Sequence, residues 1–173
     1  MRFEKLEQNI IDMIKEEQAK LGYRKESIRL YYPLSSLVHL TGENLGEQEM
    51  LALLSEFGEE TKEHLGGVTV TAKKDRFCFL IPEEGVVYVK EHTSPNEFIH
   101  DLVNLVGTHG CTMDEIKALF EKQPWPVTVE PVNNEEFDIL IRFGEGADDP
   151  YYYCFKDEGC HIIYHRFLPE DYA

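Results

Sequence analysis

Apolar residues recur at three- and four-residue steps through 2–21, at Phe3, Leu6, Ile10, Met13, Ile14 and Leu21. That spacing predicts an amphipathic helix, and Gly22 supplies its stop. The pattern then changes. "SIRLYY" alternates and is rich in β-branched and aromatic residues, so it predicts a short strand. Pro33 ends that strand and opens a short helix through Leu34, Leu37 and Val38. Residues 46–65 return to helical spacing, with Met50, Leu51, Leu53, Leu54 and Phe57 on one face. Gly58 is the weak point for continuing that helix to His64.

Gly66-Gly67 marks a switch to a period of two. "VTVTAKK", "RFCFLIP" and "VVYVKEH" predict three strands of a meander, with Asp75 in the first turn and "PEEG" as the second. Two helix starts follow. Ser94-Pro95-Asn96-Glu97 sets out a cap, a first-turn proline and a capping-box glutamate, and Thr112-Met113-Asp114-Glu115 repeats the capping box. The first helix offers Phe98, Ile99, Leu102, Val103, Leu105 and Val106 and ends at Gly107. The second offers Met113, Ile116, Leu119 and Phe120 and stops before Pro124. "PVTVEPV", "FDILIRF" and the hairpin "YYYCFKDEGCHIIYHRF" are strand-like, and "GEGADDP" reads as a solvated loop.

This order predicts an α+β fold: N-terminal helices, an antiparallel β-meander, a helix pair and a second antiparallel set ending in a hairpin. Residues 1–173 read as one domain, mainly helical through 65 and sheet-and-helix from 67 onward.

Charge alters the functional picture more than composition does. The chain has 173 residues and a net charge of −16. Residues 126–173 carry 11 acidic and 3 basic side chains. Such a surface repels phosphate backbones, so no nucleic-acid partner is expected. It serves solubility or docks a basic protein partner. The N-terminal stretch has no uninterrupted apolar run, which argues against a signal peptide and a membrane span. The four cysteines are scattered, which points to reduced thiols in a cytoplasm.

Cys154, Cys160, His161 and His165 have the composition of a zinc site. Pairing the hairpin about "KDEG" sets Lys156 opposite Cys160 and Cys154 opposite Ile162. It sends the two cysteines to one face and the two histidines to the other, with Tyr153, Phe155 and Ile163. Ligands on opposite faces cannot share one tetrahedral ion, so no metal is expected, and no cofactor motif is present. The sharpest catalytic candidate is Cys111, just before a helix start, with His109 two residues away: a helix N-terminus and an imidazole both favour a thiolate. The competing reading pairs Cys111 with Ile116 as a hydrophobic staple. The helix–turn–helix about "VGTHGCT" carries a net-negative second helix, a poor reader of DNA. Asp148 and Asp149 lack the alternating ligands of a calcium loop. Arg24, Lys25 and Arg29 form the one basic cluster, suited to a phosphate or carboxylate or to pairing with carboxylates of the same molecule.

The run "EEQAKLGYRKESIRLYYPLSSLVHLTG", residues 16–42, resembles an uncharacterised domain-of-unknown-function family of bacterial proteins from gut Clostridia and other Firmicutes. The resemblance implies a cytoplasmic bacterial protein and carries over no catalytic residue. It draws attention to Arg24, Arg29, Tyr32 and His39 as candidate ligand-binding residues, within a segment that equally serves to pack the first helix onto a sheet. The leading expectation is a non-enzymatic binding protein with an acidic surface, acting on a protein partner or as a homo-oligomer. The alternatives are a thiol-dependent enzyme using Cys111 and His109, and an acidic inhibitor or immunity-type protein.

Overall fold

The structure, a computed structural model, describes residues 2–132 and 134–172. The fold is α+β with two antiparallel sheets, and the chain divides into two compact units, Met1–Glu97 and Phe98–Ala173.

The first unit contains α1 (Glu4–Leu21), β1 (Ile28–Pro33), α2 (Leu34–Thr41), α3 (Glu47–Glu60), α4 (Lys62–Leu65), β2 (Thr69–Lys73), β3 (Arg76–Ile81) and α5 (Glu83–His92). Its sheet has the order β1-β3-β2. Alternation sends Leu30, Tyr32, Phe77, Phe79 and Ile81 inward, and all five are buried. They meet the apolar stripes of the helices. Phe57 of α3 lies edge-on to Phe3 at 5.4 Å and to Phe79 at 6.3 Å, and Tyr32 lies edge-on to Phe79 at 5.1 Å. Burying a ring such as Phe57 is worth about 2–3 kcal/mol. The Tyr32 hydroxyl donates to Asn9 Oδ1 of α1 at 2.6 Å, so the polar end of that ring does not reach the core unpartnered.

Two glycines permit close backbone approaches in this unit. Helix α3 runs through Gly58 to Glu60, and the missing side chain at Gly58 admits the Val68 carbonyl oxygen, which a Cβ would meet at 2.5 Å. A Cβ at Gly85 would lie 2.3 Å from the Leu65 oxygen. The absence of a side chain lets α5 pack against the end of α4.

"VVYVKEH" is the main correction to the expected elements. It lies in α5, and the third strand of the sheet is Ile28–Pro33. Pro82 caps the helix with extended geometry, and Val86 and Val89, three residues apart, are its buried pair. Four β-branched or aromatic residues in a row gave strand propensity, but burial of one helical face overrides it.

The second unit contains most of α6 (Glu97–Val106), then α7 (Met113–Glu121), β4 (Val127–Pro131), β5 (Ile139–Phe143), β6 (Tyr152–Asp157), β7 (Ile162–Phe167) and a short 3₁₀ turn, Pro169–Asp171. The sheet runs in sequence order, β4-β5-β6-β7. The predicted capping box of α7 is present: Thr112 accepts from the Glu115 backbone, and Glu115 accepts from the Thr112 backbone. Phe98 and Phe120 stack against Phe143 and Tyr153 on one sheet face. The other face is partly covered, by Phe137 against His165 and Phe167 and by Tyr172 against Tyr152 and Phe167, while Ile163 and His165 on it stay exposed.

The final hairpin keeps its strands but not the expected register. Asp157 pairs with Ile162, and Cys154 pairs with His165. Asp157 Oδ1 accepts from the Gly159 amide at 2.8 Å, and the Glu158 amide donates to the His161 carbonyl at 2.9 Å. These bonds make a four-residue loop where a three-residue one was expected, and an odd shift in pairing moves every β7 side chain to the other face. Cys154 and His165 therefore share a face. Cys160 and His161 lie in the loop, with Sγ and Nδ1 3.2 Å apart.

"GEGADDP" also holds a surprise. Asp149 is built into the second unit: Oδ1 accepts from the Tyr151 amide at 3.0 Å, and Oδ2 accepts from the Tyr153 hydroxyl at 2.5 Å. Burial, with the Asp149 charge alongside, pushes the Tyr153 phenol well above its ordinary range.

Candidate binding surface

The outward face of the first sheet follows from register alone. Tyr31, Cys78 and Thr71 stand in one row across the three strands, Pro33, Arg76 and Lys73 in the next, and Arg29, Leu80 and Thr69 on the other side. Tyr31 is 52% exposed. A depression of about 960 Å³ lies on this side of the sheet. Its lining includes Tyr31, Pro33, Thr71, Cys78 and the β2–β3 turn from Lys73 to Arg76.

The electrostatics of this lining run against those of the chain as a whole, with Lys73, Lys74 and Arg76 outnumbering Asp75. Arg29, Lys73, Lys74 and Arg76 form no ion pair with a carboxylate among the described residues, although the sequence holds 33 acidic side chains. The Arg76 guanidinium sits 4.5 Å from the Tyr31 ring centroid, a cation–π contact that keeps its charge available. At physiological salt the screening length is about 8 Å, so distant carboxylates do not cancel this local field. Lys74, at the tip of the turn, has φ 59, a left-handed conformation that costs a non-glycine residue roughly 1 kcal/mol.

Arg24 and Arg29 are brought together at the C-terminal end of α1. They line a smaller cleft of about 270 Å³ with Glu17, Gln18, Glu26 and Ser27. Arg24 pairs loosely with Glu26 at 3.7 Å, both exposed, and Lys25 with Glu83 at 3.8 Å. The other two ligand candidates are placed apart from that cleft. Tyr32 is buried with its hydroxyl on Asn9, and His39 is half-buried in α2.

Cys111 is half-buried, and its thiol points at the Thr112 carbonyl 3.6 Å away. Burial, then the Glu115 and Asp157 carboxylates, push that thiol above its ordinary value. The carboxylate of the capping box thus offsets the favourable field of the helix start. His109 is exposed in the preceding loop and makes no hydrogen bond among the described residues. No group of three or more His, Cys, Asp and Glu among the described residues is arranged to hold a metal ion.

Of the cations on this face the sequence points to Arg29 but not to Lys73, Lys74 and Arg76. The available signal was the alternation of "VTVTAKK", which puts Thr69, Thr71 and Lys73 on one face; what it lacked was the pairing of β1 with β3.

Fold and surface together define an α+β protein with one sheet that carries aromatic packing on both faces and one sheet open on a basic face around Tyr31. The chain belongs to the domain-of-unknown-function family DUF3877, described from an E. rectale gene, whose model matches residues 3–173. This agrees with the bacterial family that residues 16–42 resemble and extends the likeness over nearly the whole chain. No match was found among curated proteins or among solved structures. Among the described residues no helix is long and apolar enough to cross a membrane.

Proposed function

We propose that this protein acts by binding and not by catalysis, and that its binding surface is the open face of the β1-β3-β2 sheet. The observation that supports this most is the set of unpaired cations around an exposed tyrosine on a sheet face that nothing in its own unit covers. The sheet of the second unit provides the contrast: aromatic side chains pack on both of its faces. An uncovered face with a charge opposite to that of its molecule marks an interaction site more readily than a packing defect. The raised Cys111 thiol favours this reading over a thiol-dependent enzyme, and a cytoplasmic setting suits its unpaired cysteines.

Cys78 provides the test, because it lies on the proposed surface. In a variant with Cys111→Ser and Cys160→Ser, a partner fraction from the native cytosol is expected to slow alkylation of Cys78. Adding Lys73→Glu and Arg76→Glu is expected to abolish that protection. A partner that binds while Cys78 alkylates at its free rate moves the surface elsewhere; a protein that retains no partner counts against binding as the function.

A further inference from the structure

Resting on that reading of the sheet face, we infer that its occupant is an extended, acidic segment of a partner protein, with carboxylates four residues apart. The cations stand in two groups, with Asp75 the one carboxylate in the lining of the depression. Arg29 lies at one end of β1, and Arg76 with Lys73 lies opposite Pro33 at the other. From 29 to 33 an extended strand rises about 13 Å. The ground between the groups is uncharged: Tyr31, Cys78 and Thr71 in one row.

An extended segment lying along β1 has the same geometry. Every second side chain points to the sheet, and residues four apart along it also stand about 13 Å apart. Its outer two carboxylates meet the cationic groups, and a small or apolar side chain midway rests on Tyr31 and Cys78. Two or three carboxylates suffice to match these cations. A nucleic-acid strand is a poorer fit. Each of its phosphates adds repulsion from a chain of net charge −16, and Arg76 already occupies a face of the Tyr31 ring on which a base would stack.

The test is fluorescence anisotropy with three labelled probes. One is a peptide with glutamates four residues apart and serine or valine between them. The second has the same composition with the glutamates adjacent, and the third is an oligothymidylate of matching length. The spaced peptide is expected to bind best. Arg29→Glu and Arg76→Glu, measured separately in full-length protein, are each expected to weaken it by about tenfold, with weaker binding as salt rises. Because both side chains point away from the core, a variant whose circular dichroism matches wild type reports on binding alone. Equal binding of the spaced and adjacent peptides overturns the extended geometry. Preference for the oligothymidylate, lost in Arg76→Glu, overturns the partner class while leaving the face as a binding surface. Binding of no probe, with Cys78 unprotected by cytosol, overturns both.

Discussion

Cys154 gives a sharp prediction, because its environment can be turned into a pH dependence. It sits on β6 opposite Leu140 and His165, wholly buried. Burial penalises the thiolate and pushes the thiol from its ordinary 9.0 up to about 11. In the unfolded chain the same thiol ionises near its ordinary value. The folded form is therefore the weaker acid, so its contribution to stability is complete below the ordinary value and is lost as pH rises through the interval toward 11. At about pH 10, with the unfolded thiol mostly ionised and the folded one not, the loss relative to pH 7 is up to about 1.4 kcal/mol. Urea unfolding at the two pH values, under reducing conditions, reads this directly. Cys154→Ala lowers stability at both through its small cavity, but lacks the thiol's share of the pH-dependent loss. The gap between wild type and variant should narrow by about 1 kcal/mol from the lower to the higher pH. The exposed Cys160 should alkylate rapidly in the native protein, and Cys154 only on unfolding. A gap independent of pH, or fast alkylation of native Cys154, would show that water reaches the thiol and would refute the reasoning.

Two further substitutions probe the packing. Gly85→Ala forces a Cβ to within 2.3 Å of the Leu65 oxygen, a backbone atom that no rotamer change can move; a loss of about 3 kcal/mol in chemical denaturation is expected, and a near-neutral result would mean that α4 and α5 slide freely. Asp149→Ala removes the acceptor for the buried Tyr153 hydroxyl and for the Tyr151 amide; thermal and urea unfolding should report a loss of about 2–3 kcal/mol, whereas the exposed neighbour Asp148→Ala should change little.

Where a residue's fate depends on its immediate neighbours, the chain is readable without its structure. The amphipathic spacing of Leu6, Ile10 and Ile14 places them in the core, and all three are fully buried. Thr112 and Glu115 form their capping box because the partners are three residues apart on one turn. Pro33 separates β1 from α2 through its own ring. Element order likewise gave the α+β class, and the run 16–42 carried the family resemblance. What failed depended on partners distant in sequence. "VVYVKEH" has strand propensity, but Gly85 docking on Leu65 makes a helix the better-buried choice. The Asp157 side chain capturing the Gly159 amide reset the last hairpin by an odd number of residues, which exchanged the faces of β7. The candidate surface is the clearest case. Arg29 and Tyr31 are more than forty residues from Lys73 and Arg76, and only the pairing of β1 with β3 puts them on one face. Local periodicity tells which side of a strand is polar; which strands share that side is decided by the energy of burying the opposite one, and that is a property of the whole packed unit.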